Sequence, residues 1–164
     1  MAVTIIMTPT IQTIPSKKLI GKWLTMTFAE NKTFELWSSF MPQRKTITGV
    51  INPEQMYSLQ VYGKDFFNPF SPHTQFIKWA AIEVQDSAPV PEGMGVFIIP
   101  AGQYAVFYYK GSHKNGFDVF SYIFGEWLPA SGYELDNRPH FEIVGPKYKN
   151  GDPDSEEEIW IPIK

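Results

Sequence analysis

Two short runs near the C-terminal end of the sequence carry the residues best suited to binding chemistry. The first run places Glu142 between Phe141 and Ile143, and the second places Glu158 two residues before Trp160. Side chains of a β-strand point to opposite faces in alternation, so Glu158 shares a face with Trp160, and Glu142 points away from its apolar neighbours. If the two strands pair, we expect one apolar face and one face that presents carboxylates among aromatic side chains, as a binding surface does.

A second interpretation stays open for Glu142 and Glu158, because a glutamate between apolar strand residues also occurs on the solvent side of a half-exposed sheet. The aromatic content favours a binding role. Aromatic residues make up 16% of the chain, with 5 Trp, 8 Tyr and 13 Phe, which exceeds the needs of one small core. Large flat side chains form suitable walls for flat or cationic ligands.

Signatures of catalysis and metal binding are missing from the sequence. It contains no Gly-x-Ser-x-Gly elbow and no phosphate-binding glycine-rich loop, and it has no cysteine. His73, His113 and His140 lack partners at metal-ligand spacing, although His140 would share a strand face with Glu142 and could tune its carboxylate. We therefore predict no catalytic residue, no metal and no cofactor.

Charge and hydropathy restrict the partners and the location of the protein. Lys and Arg number 14 against 17 Asp and Glu, for a net charge of −3, and the basic residues are scattered. This distribution disfavours direct binding of nucleic acid. The N-terminus lacks an export signal, and no apolar run approaches the roughly 20 residues of a membrane helix. We expect a cytoplasmic protein with no membrane contact and a single domain over residues 1–164.

The elements that must position these side chains repeat along the chain. Apolar periodicity predicts the order strand, strand, helix, strand, strand over residues of about 1–85 and again over 94–164, with a Pro- and Gly-rich boundary at 86–95. The first helix is expected near Asn31 to Met41, and the second from Asn115 to about Leu128. The predicted strands cover residues 3–13, 19–28, 57–62, 75–84, 96–99, 103–110, 138–144 and 156–163.

This order predicts an α+β fold built from a duplicated unit. We expect each half to form a small antiparallel sheet with one helix, both helices to lie on one side, and a cleft between the halves to form the pocket. The aromatic loop 63–72 is expected to fold over the edge of the core, and a ligand lid is the alternative.

Four segments resemble, in their order and spacing, the GyrI-like small-molecule-binding domain, which is also the effector-binding domain of many AraC-type and MerR-type transcription regulators. They are residues 100–106, 127–134, 139–142 and 158–163. The resemblance covers essentially the whole chain. It implies a duplicated α+β unit whose hydrophobic, aromatic-lined cleft contains an acidic residue and takes bulky, often cationic compounds.

Carried over by position, the resemblance places the acid of the cleft at Glu142. Glu158 falls on a second acidic position and Trp160 on an aromatic one, whereas Val144 stands where family members commonly have Tyr. Alternation leaves open which face of the strand 103–110 points into the cleft. The residues expected to supply the aromatic walls are Trp23, Tyr57, Trp79, Tyr104, Phe107 and Tyr108.

The resulting prediction is a small-molecule-binding protein without its own DNA-binding domain, regulator-like or protective, whose ligand is hydrophobic and cationic or drug-like. Two alternatives stay open. The same aromatic cage could hydrolyse strained electrophilic xenobiotics, with a carboxylate that positions water. The protein could instead act on a protein partner, either a regulator or DNA gyrase, which the family name implies that it would inhibit.

Overall fold

The computed structural model describes residues 4–5, 8–110, 116–145 and 156–164, with side chains for 8–110, 119–145 and 156–164. The strands in this part of the chain are β1 (Thr4–Ile5), β2 (Thr10–Ile14), β3 (Lys17–Met26), β4 (Met56–Val61), β5 (Phe76–Val84), β6 (Gly95–Ile99), β7 (Gly102–Lys110), β8 (His140–Val144) and β9 (Glu156–Pro162). The helices are α1 (Thr33–Phe40), α2 (Gly116–Tyr122) and α3 (Leu128–Ser131). A 3-10 turn, Met41–Thr46, follows α1, and a π-helical turn, Ile123–Trp127, joins α2 to α3.

These elements follow the predicted order. The second helical region extends past Pro129, which directly follows the π-helical turn, and ends at Gly132 in a left-handed conformation with φ 81°. The predicted helix start at Asn115 lies outside the described residues. No helix in the described ranges is long and apolar enough to cross a bilayer.

All nine strands of the described residues join in one antiparallel sheet, with the order β1-β7-β9-β8-β4-β5-β3-β6 and with β2 also paired to β7. The prediction of a separate small sheet in each half is therefore wrong. The two halves merge because β4 pairs directly with β8, with Ser58 opposite Glu142. This pairing satisfies the backbone hydrogen bonds of two strands that would otherwise be exposed edges.

The first strand of each predicted half pairs with a strand of the other half. Thr10 of β2 lies opposite Val106 of β7, and Phe97 of β6 lies opposite Leu19 of β3. Within the described residues, four strand pairs therefore connect the halves, β1–β7, β2–β7, β3–β6 and β4–β8.

The helices pack on one face of the sheet, as predicted. Leu36 of α1 packs in a cluster with Ala80, and Ile123 packs with Ile159. Directly opposed residues run across the four central strands in the order Ala80, Ser58, Glu142 and Ile159. Because opposed residues share a face, all four lie on the side covered by the helices, which we call the helix face.

The other side, which we call the far face, carries an aromatic core. Its centre is Phe141, whose ring stacks on Trp160 at 5.2 Å between centroids and meets Tyr104 at 5.3 Å. Tyr57, Tyr104 and Phe141 are essentially inaccessible to solvent. Each large apolar side chain buried in this way contributes about 1.5–3 kcal/mol, so this face is a main source of stability.

Candidate functional site

Glu142 lies at the middle of the helix face, between the apolar clusters beneath α1 and α2. Gln60 Nε2 donates a hydrogen bond to Glu142 Oε1 at 3.2 Å and lies 3.4 Å from Ser58 Oγ. Ser58 and Gln60 are themselves buried polar residues. Buried polar groups are normally retained only when they are hydrogen-bonded or functional. The group of Ser58, Gln60, Lys78, His140, Glu142 and Glu157, all on the helix face, is called the polar seam below.

Two carboxylates of the polar seam have strongly shifted pKa values. Burial raises the pKa of Glu142 to about 7, against the lowering influence of Lys78 and of the Gln60 hydrogen bond. Glu157 lies opposite Val144, two residues from Glu142 on the same face. Burial, together with repulsion from Glu142, raises the pKa of Glu157 to about 8, again opposed by Lys78. Both acids therefore titrate near neutral pH, so a small change of surroundings alters their charge.

Lys78 supplies the positive charge nearest to these acids. Burial lowers the pKa of its ammonium group, and the carboxylates of Glu142 and Glu157 oppose that shift. The ion pairs in the described part of the chain are Lys17 with Glu83 and Arg138 with Asp136, so Lys78 acts on both acids without a direct ion pair to either. With all three groups ionised, two carboxylates and one ammonium leave a formal charge of −1.

Aromatic rings close one end of the polar seam. The His140 ring meets Tyr62 edge to face at 5.0 Å and stacks on Phe67 at 5.7 Å, and Phe67 stacks on Phe124 from the π-helical turn at 5.5 Å. Burial lowers the pKa of His140 to about 3, so it is neutral at pH 7. A cavity of only about 60 Å³ lies beside these rings.

Phe67 belongs to the aromatic loop 63–72. The prediction that this loop folds over the edge of the core is confirmed for Phe66, which is 2% exposed and packs with Met26 and Phe76. Phe67 is more accessible, at 38%, and reaches the polar seam. The alternative role of the loop as a ligand lid stays a prediction for Phe67.

The prediction that Glu142 shares one surface with Glu158 and Trp160 is wrong. In the observed register Phe141 lies opposite Trp160 and Ile143 lies opposite Glu158, so both of those residues face away from Glu142. The physical reason is that side chains alternate between the two faces of a strand. If the pairing of two strands shifts by one residue, every side chain of one strand moves to the opposite face relative to the other strand. The row of Ile159, Ile161 and Ile163 does pack beneath the helices, as expected, and Glu142 lies opposite Ile159.

Most of the predicted aromatic walls also lie on the far face. Phe107 is on the helix face but is buried beneath the second helical region, edge to face with Trp127 at 5.1 Å. The strand 103–110 thus turns Phe107 toward the helices and Tyr104 and Tyr108 away from them. The predicted site residues on the far face are Trp23, Tyr57, Trp79, Tyr104, Tyr108, Glu158 and Trp160.

The predicted site residues on the far face include satisfied polar atoms and one unsatisfied atom, because Tyr104 Oη is buried without a hydrogen-bond partner. Tyr57 Oη donates to Glu83 Oε1 at 3.2 Å, and Trp160 Nε1 donates to Glu158 Oε1 at 3.0 Å. Trp23, 46% exposed, stacks on Trp79 at the margin of this face. A ligand role for these residues stays a prediction.

Sequence reasoning missed Glu157, Lys78 and Gln60. Lys78 had a visible signal, because a lysine between Ile77 and Trp79 in an otherwise apolar strand needs a partner when it is buried. Gln60 carries the same signal in β4. Glu157 had none, because three consecutive glutamates precede Ile159 and only the register distinguishes them.

Comparison with known proteins identifies the family. The model of the GyrI-like small molecule binding domain matches residues 7–164. The transcriptional regulator BrlR of Pseudomonas aeruginosa is 33% identical over 130 residues, which are 79% of this chain and 45% of BrlR. The chain thus spans less than half the length of that relative.

Solved structures share the fold. The C-terminal domain of EcmrR has a TM-score of 0.67 at 16% identity, covering 100% of this chain and 99% of that one. SAV2435, solved with tetraphenylphosphonium bound, has a TM-score of 0.66 at 16% identity, covering 100% of this chain and 94% of that one. The match over nearly the whole sequence shows that the chain belongs to the family of GyrI-like small molecule binding domains.

Proposed function

We propose that the chain binds a bulky hydrophobic cation in the polar seam, with Glu142 as the counter-charge. The observation that carries the proposal is a partly buried carboxylate that receives one amide hydrogen bond and has a pKa near 7. Burial of a carboxylate is costly when it is unpaired and is tolerated when a cation pairs with it. A cation that enters the seam would therefore gain a charge-assisted interaction and would favour ionised Glu142.

The proposal includes a duplicated unit with a cleft where its halves meet. The strand order supports it. If β2, β3, β4 and β5 are exchanged with β6, β7, β8 and β9 respectively, each pair among these strands becomes another observed pair; β2–β7, for example, becomes β6–β3. In this arrangement β4 corresponds to β8, and the polar seam lies along their junction between the two helical clusters. A cleft at such a junction is a common position for a ligand site.

Tyr62, Phe67 and Phe124 are the aromatic walls that we propose for this site. They lie at the end of the seam that carries His140. The adjoining cavity of about 60 Å³ is smaller than the roughly 300 Å³ of a typical ligand pocket, so a bulky ligand requires Phe67 to move. Trp160, Trp79 and Tyr104 would support the seam from behind, as a rigid core beneath β8 and β5.

An effector-binding role in gene regulation is the biological setting that we propose. It is supported by the similarity to BrlR, a transcriptional regulator. The ligand class is supported by SAV2435, whose structure was solved with a lipophilic cation. The physiological ligand would then be a cation of this chemical type.

Titration calorimetry with tetraphenylphosphonium tests the proposal. We expect Glu142→Gln to weaken binding by about 1–3 kcal/mol, through loss of the charge-assisted contact. Glu158→Gln is the matched control, since it removes the same charge from the neighbouring strand on the far face. Equal affinity of the wild type and Glu142→Gln would remove Glu142 from the site. Loss of binding in Glu158→Gln alone would place the site on the far face.

A further inference from the structure

We propose that Lys78 is an internal cation that, with Glu157, sets the charge of the ligand that the polar seam accepts. The inference rests on the proposed function and concerns selectivity within it. When a bound cation favours the ionised forms of Glu142 and Glu157, the two carboxylates and the Lys78 ammonium give the seam a formal charge of −1, which a monocation neutralises and a dication exceeds. Selection of monocations over dications is therefore built into the residues of β5, β8 and β9.

The strand register brings the three charges together. Lys78 lies opposite Gln60, the residue whose amide holds Glu142. Glu157 lies opposite Val144, and Val144 and Glu142 are two residues apart on one strand. All three charges therefore lie on the helix face and span four adjacent strands, β5, β4, β8 and β9. Neighbouring strands are about 4.8 Å apart, so the Lys78 backbone is roughly 10 Å from β8 and roughly 14 Å from β9, and the long side chains of Lys78, Glu142 and Glu157 shorten the distances between their charges.

Because the three groups are buried, the charge of each one affects the ionisation of the others. Lys78 lies opposite Leu24 and two residues from Ala80, a largely apolar environment in which a lysine is rarely kept without acidic partners. Its interactions with Glu142 and Glu157 are mutual, since it favours the ionised form of each acid and they favour its own. A ligand cation that approaches the carboxylates of Glu142 and Glu157 is therefore repelled by the Lys78 ammonium, which already interacts with them.

Other ionisable groups on the helix face do not take this role. Lys22 lies on the same face, but its Nζ donates to Ser39 Oγ of α1 at 2.8 Å. Arg44 donates from Nη1 to Met56 Sδ at 3.3 Å. His140 is neutral at pH 7. The Tyr62 phenol, whose pKa is raised by burial and by Glu142, is also uncharged. Within the described residues, Lys78 is the cation coupled to both carboxylates.

A pair of dyes tests the inference. Ethidium and propidium share a phenanthridinium ring, and propidium carries a second quaternary ammonium. Fluorescence titration gives the ratio of their affinities for the wild type and for each variant. We expect Lys78→Gln to shift the ratio toward propidium by about tenfold. The substitution removes the nearby positive charge of Lys78, so the second positive charge of propidium is no longer repelled by it. Glu157→Gln should shift the ratio toward ethidium by a similar factor.

Lys22→Gln is the matched control, since it removes the same charge from the same face, and we expect a change of less than about twofold. If ethidium binds and Lys78→Gln leaves the ratio unchanged, or moves it no more than Lys22→Gln does, the inference is wrong while the proposed function stands. If Lys78→Gln does not fold by circular dichroism, the shift in Glu157→Gln decides, and an unchanged ratio there overturns the inference. If neither dye nor tetraphenylphosphonium binds to the wild type, the proposed function and the inference both fail.

Discussion

The stability of the protein should fall as pH rises from 6.5 to 9, because two acids of the polar seam are protonated in the folded state. The pKa of each is 4.5 in the absence of the fold, and it rises to about 7 for Glu142 and about 8 for Glu157. In this pH range the folded state binds more protons than the unfolded state, so the free energy of unfolding decreases as pH rises. The stabilisation is fully present below pH 4.5 and is lost as pH passes through the folded pKa values.

The expected loss between pH 6.5 and pH 9 follows from these values. Glu157 contributes about 2 kcal/mol and Glu142 about 1 kcal/mol, for a total of about 3 kcal/mol. His140 has the opposite effect but in a lower range. Its pKa falls from 6.5 to about 3 on folding, so it makes stability rise with pH only up to about 6.5. The measurement therefore starts at pH 6.5.

Urea unfolding followed by tryptophan fluorescence, in steps of half a pH unit, measures this effect. Glu157→Gln should lose most of the fall in stability. The double variant with Glu142→Gln should show no fall, because Lys78, which remains, has a lowered pKa and makes stability rise with pH. Glu158→Gln, on the same strand but the far face, should behave like the wild type. The reasoning is refuted if the stability of the wild type rises over this range, or if the double variant shows the same fall as the wild type.

Two further predictions address the sheet and the chemistry. Gly21→Ala should destabilise the protein by roughly 3 kcal/mol or more in urea unfolding, because its Cβ would collide with the Ala80 carbonyl and with Ala81 on β5. Gly63→Ala, with open space around its Cβ, is the control and should change stability by less than about 1 kcal/mol; equal effects would contradict this account. Incubation with a cyclopropane-bearing, DNA-alkylating natural product, followed by mass spectrometry, should show stoichiometric retention of the unchanged compound. Repeated addition of water that Glu142→Gln abolishes would instead identify a hydrolase.

The order of the elements could be predicted because it depends on local periodicity, whereas some bounds differ, since the second helical region continues past Leu128 to Ser131. The run from Leu19 to Met26 alternates, and the spacing of Leu36 and Phe40 is helical, so each shows its own period. The single sheet could not be predicted in this way. It depends on the pairing of β4 with β8, which brings Ser58 beside Glu142 across a long stretch of chain. Local patterns say which face of a strand is apolar and do not say which strand lies beside it.

The burial requirements of Phe141 and Glu142 explain the register in which β8 pairs with β9. A shift of one residue between β8 and β9 would move Phe141 beneath α2 and would turn Glu142 into the far-face core beside Tyr104 and Trp160. The shift would remove the fully buried Phe141 ring from its contacts with Tyr104 and Trp160 and would separate Glu142 from the amide of Gln60. Both losses favour the observed register, which places Glu142 on the polar seam.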